Sequence, residues 1–229
     1  MKKGKFIVID GTDGSGKATQ VELLAKKLKT KGYRVKVVDF PEYEENFFGK
    51  FIGHCLTEQY YNFIKVHPKI ASVLYAADRF ESKDKIDRWL KQGYVVISNR
   101  YVSSNQIHQG GKIVNTKKRE SFIKWLDDME YKVFKIPRPD VVVYLRVPMN
   151  VILRLIKERN EKTQRKYIGK KKDIVEGDIP YLTNSQKSAS WLAEREKNWI
   201  KVECVKNGAL ATREYIHEEI YQEVKKILK

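Results

Sequence analysis

The apolar run Phe6-Ile7-Val8-Ile9, closed by Asp10, leads directly into Gly11-Thr12-Asp13-Gly14-Ser15-Gly16-Lys17-Ala18-Thr19. Apolar residues then recur at helical spacing, Val21, Leu24, Ala25 and Leu28, until Gly32. Strand, glycine-rich loop and helix N-terminus in that order make a phosphate-gripping loop. Glycines at 11, 14 and 16 carry no Cβ, so successive backbone N–H groups can turn toward one anion. The following helix adds its unpaired amides and the positive end of its dipole. Lys17 supplies a compact charge for the outer phosphates of a bound nucleotide. A tight turn with a solvated lysine is the bland reading of the loop, and the strand before it and the helix after it weigh against that. One position departs from the pattern. Ala18 stands where a Ser or Thr would offer a metal-ligating hydroxyl, and Thr19, one residue on, is turned by about 100° on a helix.

The remaining sequence limits what such a loop can belong to. A chain of 229 residues can bury a full core. We expect a single domain over residues 1–229. The longest apolar stretches fall far short of the ~20 residues of a membrane span. Only four apolar residues follow the basic N-terminus, too few for the ~7–15-residue core of a signal peptide. Cys55 and Cys204 lie far apart in apolar segments, and the four histidines lack metal-ligand spacing. Both features fit a protein of the reducing cytoplasm. The 46 Lys and Arg against 29 Asp and Glu give a net charge of +17. That charge suits either a nucleic-acid binder or a protein handling polyphosphates. Its one dense cluster is Lys162, Arg165, Lys166 and Lys170 to Lys172.

Short β-branched runs recur at Phe6–Asp10, Val35–Phe40, Val95–Ser98, Val141–Arg146 and Ile200–Val205. Between them the pattern predicts helices near 17–31, 46–57, 67–91, 103–109, 117–132, 149–160 and 179–196, with a last one over 212–228. Near-continuous apolar strands alternating with helices imply a five-stranded parallel sheet flanked by helices, an α/β fold of the P-loop NTPase kind. Ligands in such sheets bind beyond the carboxyl ends of the strands. That rule gathers Gly11–Lys17, Phe40–Tyr43, Asn99–Gln109 and the region after Val147 around one cleft.

Three further stretches face that cleft: Phe40-Pro41-Glu42-Tyr43, the helical Leu74-Tyr75-Ala76-Ala77-Asp78-Arg79-Phe80, and Asn99-Arg100-Tyr101 followed by Ser103-Ser104-Asn105-Gln106 and His108-Gln109-Gly110-Gly111. Tyr75 and Arg79 are four apart and share a helical face, so a ring and a guanidinium can meet one base. Together these elements resemble the thymidylate kinase family, from Phe6 to about Val147 and more loosely on to Lys197. The resemblance implies ATP-dependent phosphorylation of dTMP to dTDP by a homodimer. It implies that Gly11 to Thr19 bind ATP, that Tyr75 stacks on thymine and that Arg79 hydrogen-bonds its carbonyl edge. Arg100 would hold the acceptor phosphate, Asn105 would bind the base with Ser104 beside it, and His108 would border the deoxyribose. Asp13 would lie by the sugar hydroxyl and acceptor phosphate, with Phe40, Pro41 and Tyr43 walling the pocket.

The departures from that family pattern are Ala18, Asn99 in place of Asp, His108 in place of a common Tyr, and Arg146 where many members carry Asp. They leave Mg²⁺ short of protein oxygens, and Asp10 is the expected contact, acting through water. Position 14 is glycine where some members carry an arginine, so the transferring phosphate needs its positive charge from elsewhere. A mobile basic lid over roughly 160–178 would supply it, with Arg165 the first choice and Arg159 the second. This reading is preferred over a nucleic-acid patch, because glycines flank the cluster and Tyr167 is its only aromatic. The alternatives are a P-loop kinase of another nucleoside or monophosphate, or a non-catalytic nucleotide-binding protein.

Overall fold

The computed structural model describes residues 3–57, 64–162 and 174–228, with the side chains of 159–162 and 174–175 excepted. In chain order the elements are β1 (Lys5–Asp10), α1 (Lys17–Thr30), β2 (Val35–Asp39), α2 (Phe47–Leu56), α3 (Pro68–Glu81), α4 (Lys83–Lys91), β3 (Val95–Asn99), α5 (Val102–Gly111), α6 (Thr116–Asp127), β4 (Val141–Arg146), α7 (Met149–Lys162), α8 (Ile174–Gly177), α9 (Ile179–Ala193), β5 (Trp199–Glu203), a hairpin of β6 (Val205–Lys206) and β7 (Ala209–Leu210), and α10 (Arg213–Leu228). A π-helical turn, Asp128–Val133, continues α6.

The five long strands form one sheet in the order β2-β3-β1-β4-β5, and every pairing is parallel. Both faces are covered, which is why the central strands are apolar throughout rather than alternating. Strand alternation divides the core. Ile7 and Ile9 pack with Val21, Leu24 and Leu28 of α1 and with Ile216 and Ile220 of α10. Phe6 and Val8 face the opposite layer, with Ile86, Leu90, Ile107, Phe122 and Leu126. A smaller cluster of Ile52, Cys55, Leu56 and Ala71 joins α2 to α3. Among the described residues no helix is long and apolar enough to cross a membrane.

Several elements differ from the sequence expectation. The helical stretch 67–91 is two helices, broken at Ser82, whose hydroxyl donates to Glu42 Oε1 (3.0 Å) and accepts from Asn46 Nδ2 (3.2 Å). No Gly or Pro marks this break, so periodicity passes over it. The expected helix 117–132 changes character at Asp128, where the π turn begins. The β6–β7 hairpin, pinned by Val205 opposite Leu210, goes unread because its strands are two residues long. At the last helix, Thr212 caps as its chemistry suggests, its Oγ1 accepting from the Tyr215 amide at 3.2 Å.

Register puts the site together. Asp39 lies opposite Asn99, and Asn99 opposite Ile9, so the carboxyl ends of β1, β2 and β3 meet at one edge beside the glycine loop. The helix that leaves this edge, α5, is clamped to α9. A Cβ on Gly111 would stand 2.9 Å from Ser185 Cα and 2.9 Å from its nitrogen, so only glycine permits the approach. Ser188 Oγ donates to the Gln106 carbonyl at 3.0 Å across the same seam.

Candidate active site

A cleft of about 630 Å³ runs along the carboxyl edge of the sheet. One end is lined by Asp13 to Thr19 of the glycine loop, and the other by Phe40, Pro41, Tyr43, Tyr75, Arg79, Ser104, Asn105 and His108. Arg100 lies between the two.

The loop turns through left-handed backbone at Gly14 (φ 80°) and Gly16 (φ 86°). Lys17 Nζ donates to the carbonyls of Gly11 (3.0 Å) and Thr12 (2.9 Å). Burial, with Arg100 nearby, lowers its pKa to about 8 against the pull of Asp13 and Asp10. Beneath the loop, Asp10 is wholly buried. Its carboxylate accepts from the Gly11 amide (2.8 Å), from Ser104 Oγ (2.9 and 3.0 Å) and from Ser103 Oγ. Asp10 therefore fastens the loop to the start of α5. A water-mediated metal contact, the role expected of it, would require a carboxylate that faces the cleft.

Two carboxylates line the cleft beside Lys17 and Arg100: Asp13, which is paired with Arg100, and Asp39. Asp39 is open to solvent, yet the crowding of protein around it raises its pKa, although Asn99 donates to it and Arg100 and Lys17 lie close. Among the described residues, no three His, Cys, Asp or Glu side chains converge as a metal cage. The donor set fits a hard cation held mainly by phosphate oxygens and water, with one carboxylate behind it.

Arg100 adopts a left-handed backbone (φ 64°), uncommon for a residue with a Cβ. The turn is held by its amide donating to the Ile9 carbonyl (3.0 Å) and by Ser98 Oγ donating to its own carbonyl. Tyr101 turns the other way and is buried against Phe6 and Phe40, its hydroxyl donating to the Pro137 carbonyl (3.1 Å). The Arg100 guanidinium pairs with Asp13 Oδ1 and approaches His108 Nε2 at 3.2 Å. Burial opposes its charge, but Asp13, Asp10 and Asp39 more than offset that, and its pKa moves up. His108 is pushed down to about 4 by burial, with Asp13 raising it and Arg100 lowering it, so it is neutral near pH 7.

The end of the cleft away from the glycine loop rests on groups that the sequence motifs do not mark. Arg79 is 2% exposed, and its Nε (2.8 Å) and Nη2 donate to the two carboxylate oxygens of Glu130, which is 0% exposed. Its Nη1 reaches the Tyr101 carbonyl at 3.4 Å. Glu130 Oε1 also accepts from Asn105 Nδ2 (3.2 Å). Glu130 belongs to the π turn, where Asp127-Asp128-Met129-Glu130 reads as an ordinary solvated charge run. Asp78 is a second unread support. It accepts from the Glu42 amide (3.3 Å) and Asn46 Nδ2 (2.9 Å), fixing the turn that carries Pro41 and Tyr43. The Phe40–Pro41 peptide in that turn is cis. Tyr181 is the third, its ring stacked on His108 with centroids 5.8 Å apart and planes 9° apart. Leu210, Ala211 and Arg213 of the hairpin and α10 complete the loop end of the cleft.

Arg146, read as a departure, pairs at the surface with Glu203 (2.8 Å). Arg154 is exposed and lies 3.8 Å from Glu158. Arg165, the side chain of Arg159 and the basic run around them lie outside the described residues.

Comparison with known proteins gives one consistent result. The thymidylate kinase family model matches residues 9–220. A probable thymidylate kinase of Thermococcus gammatolerans is 35% identical over 166 residues, covering 70% of this chain and 74% of that protein. The thymidylate kinase of Caldicellulosiruptor saccharolyticus is 36% identical over 156 residues, covering 68% and 70% respectively. Among solved structures, the thymidylate kinase of Candida albicans matches with a TM-score of 0.72 at 22% identity, covering 98% of this chain and 92% of that one.

Proposed function

The chain belongs to the thymidylate kinase family, and from that membership we propose how its cleft phosphorylates dTMP with ATP as donor. The observation that carries the assignment is the placement of Arg100. Paired with Asp13 of the glycine loop, it stands between that loop and the pocket of Tyr75, Arg79 and Asn105, where an acceptor phosphate must lie for in-line transfer.

In this reading Gly11 to Thr19 wrap the donor phosphates and Lys17 neutralises their outer oxygens. Thymine stacks on Tyr75, Arg79 donates to its carbonyl edge, Asn105 reads the adjacent position, and neutral His108 borders the sugar. Phe40, Pro41 and Tyr43 wall the pocket, with Ser104 at its floor. A phosphate monoester has a second pKa near ~6, so its attacking oxygen is mostly ionised at neutral pH and needs no general base. That oxygen attacks the γ-phosphorus as the bond to the β–γ bridging oxygen breaks, giving dTDP and ADP. Asn99, where many relatives are expected to carry Asp, is compatible with this chemistry.

Mg²⁺, when bound, would spread the charge of the β and γ oxygens. Asp39, with Asn99 donating to it, would hold its water shell. Arg165 and Arg159 of the basic lid would bring positive charge to the transferring phosphate from the open side, a role for which Gly14 leaves the loop without a candidate. The two cysteines, both buried and neither in a disulfide, support a reducing, cytoplasmic setting. A homodimer is supported by an apolar face of α3. Ile70, Val73 and Phe80 share one side of the helix and are 59%, 41% and 51% exposed.

A coupled assay tests the assignment. dTMP and Mg-ATP should give dTDP and ADP, and Lys17→Ala should lower single-turnover transfer by at least about a hundredfold with circular dichroism unchanged. A Lys17→Ala variant of near-native rate would overturn the donor site.

A further inference from the structure

We propose that Glu130 is the positioning residue that decides which base edge the acceptor pocket reads, an inference that rests on the dTMP assignment above. Asn105 Nδ2 donates to Glu130 Oε1 (3.2 Å) and to the Ser72 carbonyl (3.1 Å). Both amide hydrogens are thereby engaged, and the hydrogen-bonding capacity that Asn105 keeps is the acceptor oxygen Oδ1. Turning the amide over would set Oδ1 against a carboxylate and a carbonyl, acceptor against two acceptors, in a site where both residues are 2% exposed or less. Glu130 thus fixes the amide in one of its two orientations.

The same carboxylate orients Arg79. Its Nε and Nη2 hydrogen bonds hold the guanidinium by one edge, Nη1 reaches the Tyr101 carbonyl, and the N–H groups left over are the second ones of Nη1 and Nη2. The pocket is left with a donor from Arg79 and an acceptor from Asn105. Thymine and uracil carry a carbonyl acceptor beside a ring N–H donor, which complements that pair. Cytosine carries an amino donor beside an unprotonated ring nitrogen, the reverse pattern. Arg79 carries only donors, so Glu130 sets where its donor points, and together with the Ser72 carbonyl it fixes which end of the Asn105 amide the pocket meets.

A purely structural role for Glu130 predicts something else. Neutralising a buried arginine would matter equally for every acceptor, so its loss would lower stability and all activities together. The selectivity ratio separates the two. In Glu130→Gln the amide oxygen keeps the Oε1 position, which Arg79 Nη2 and Asn105 Nδ2 both face, so Nε2 meets Arg79 Nε donor to donor and the guanidinium is displaced from the edge it presents to the base.

The experiment measures kcat/KM for dTMP, dUMP and dCMP, and KM for Mg-ATP, in the wild-type protein, Glu130→Gln and Glu130→Asp. Glu130→Asp keeps the charge beside Arg79 but is one methylene too short to hold Asn105 as well, so it answers the question even if Glu130→Gln fails to fold. The expected result is a dTMP:dCMP ratio lowered about tenfold or more in Glu130→Gln and about threefold in Glu130→Asp, with KM for Mg-ATP within about twofold of wild type. Folded variants whose ratio stays within about twofold of wild type would overturn the inference alone. A wild-type protein that does not prefer dTMP to dCMP would overturn the substrate assignment and this inference with it.

Discussion

Asp13 and Arg100, 87 residues apart in the chain, form an ion pair that joins the donor loop to the acceptor pocket. The pair holds the guanidinium by Nη2, while Nη1 lies 3.2 Å from His108 Nε2 and 3.5 Å from Ser104 Oγ at the pocket side. Asp13 cannot swing away without leaving Arg100 largely buried and short of a counter-charge, which keeps the loop and the acceptor site in fixed relation.

Arg100→Gln is therefore expected to lower kcat/KM for dTMP by about a hundredfold or more, while KM for Mg-ATP changes by about twofold at most. Steady-state kinetics with each substrate varied in turn check this. An equal loss for both substrates would place Arg100 at the donor phosphates.

Asp78 is expected to leave a signature in stability. Burial raises its carboxyl pKa to about 6 from the usual 3.8, although Asn46, Arg79 and the Glu42 amide favour the charged form. The folded state then binds more protons than the unfolded state between these values, so this group's contribution falls as pH rises through that window. Asp78→Asn removes the titration. Its stability relative to wild type should rise by about 2 kcal/mol between pH 4 and pH 7, measured by urea unfolding at each pH. A difference independent of pH would contradict the assignment.

The α3 face yields a prediction about assembly. Ile70→Asp, at the most exposed position of the apolar stripe, is expected to convert a dimer to monomer in sedimentation velocity without altering the circular dichroism spectrum. A wild-type protein that sediments as a monomer would remove the dimer proposal.

The sheet and the donor loop were legible because their signals are local. Apolar runs mark strands buried on both faces, and Gly11 to Lys17 carry their chemistry in consecutive residues. The acceptor pocket was half legible. Tyr75, Arg100, Asn105 and His108 sit on motifs, but what holds them does not. Glu130 follows Ile123 by seven residues and Leu126 by four, so the helical period already places it on the buried face, but a carboxylate among Asp127, Asp128 and Glu130 does not read as part of an apolar stripe. Tyr181 reaches His108 only because α9 packs on α5 through Gly111 and Ser185, a contact between segments 74 residues apart (185 minus 111). Asp10 is expected at the metal because it stands at the usual Glu of the family it resembles, and Ala18, Asn99 and Arg146 leave few other oxygens. The two hydroxyls of Ser103 and Ser104, 93 and 94 residues on, give it another partner.

The account rests most heavily on base selection, and the measurement that tests it is kcat/KM across dTMP, dUMP, dCMP and dGMP at fixed Mg-ATP. dTMP should be used best, and dUMP should be reduced about fivefold for want of one apolar methyl contact. dCMP should fall by roughly tenfold to a few hundredfold, because it opposes the Arg79 donor with its own. dGMP should be poorer still in a pocket sized for one ring. Preference for dCMP or dGMP over dTMP would contradict the assignment of Tyr75, Arg79 and Asn105 to a thymine site.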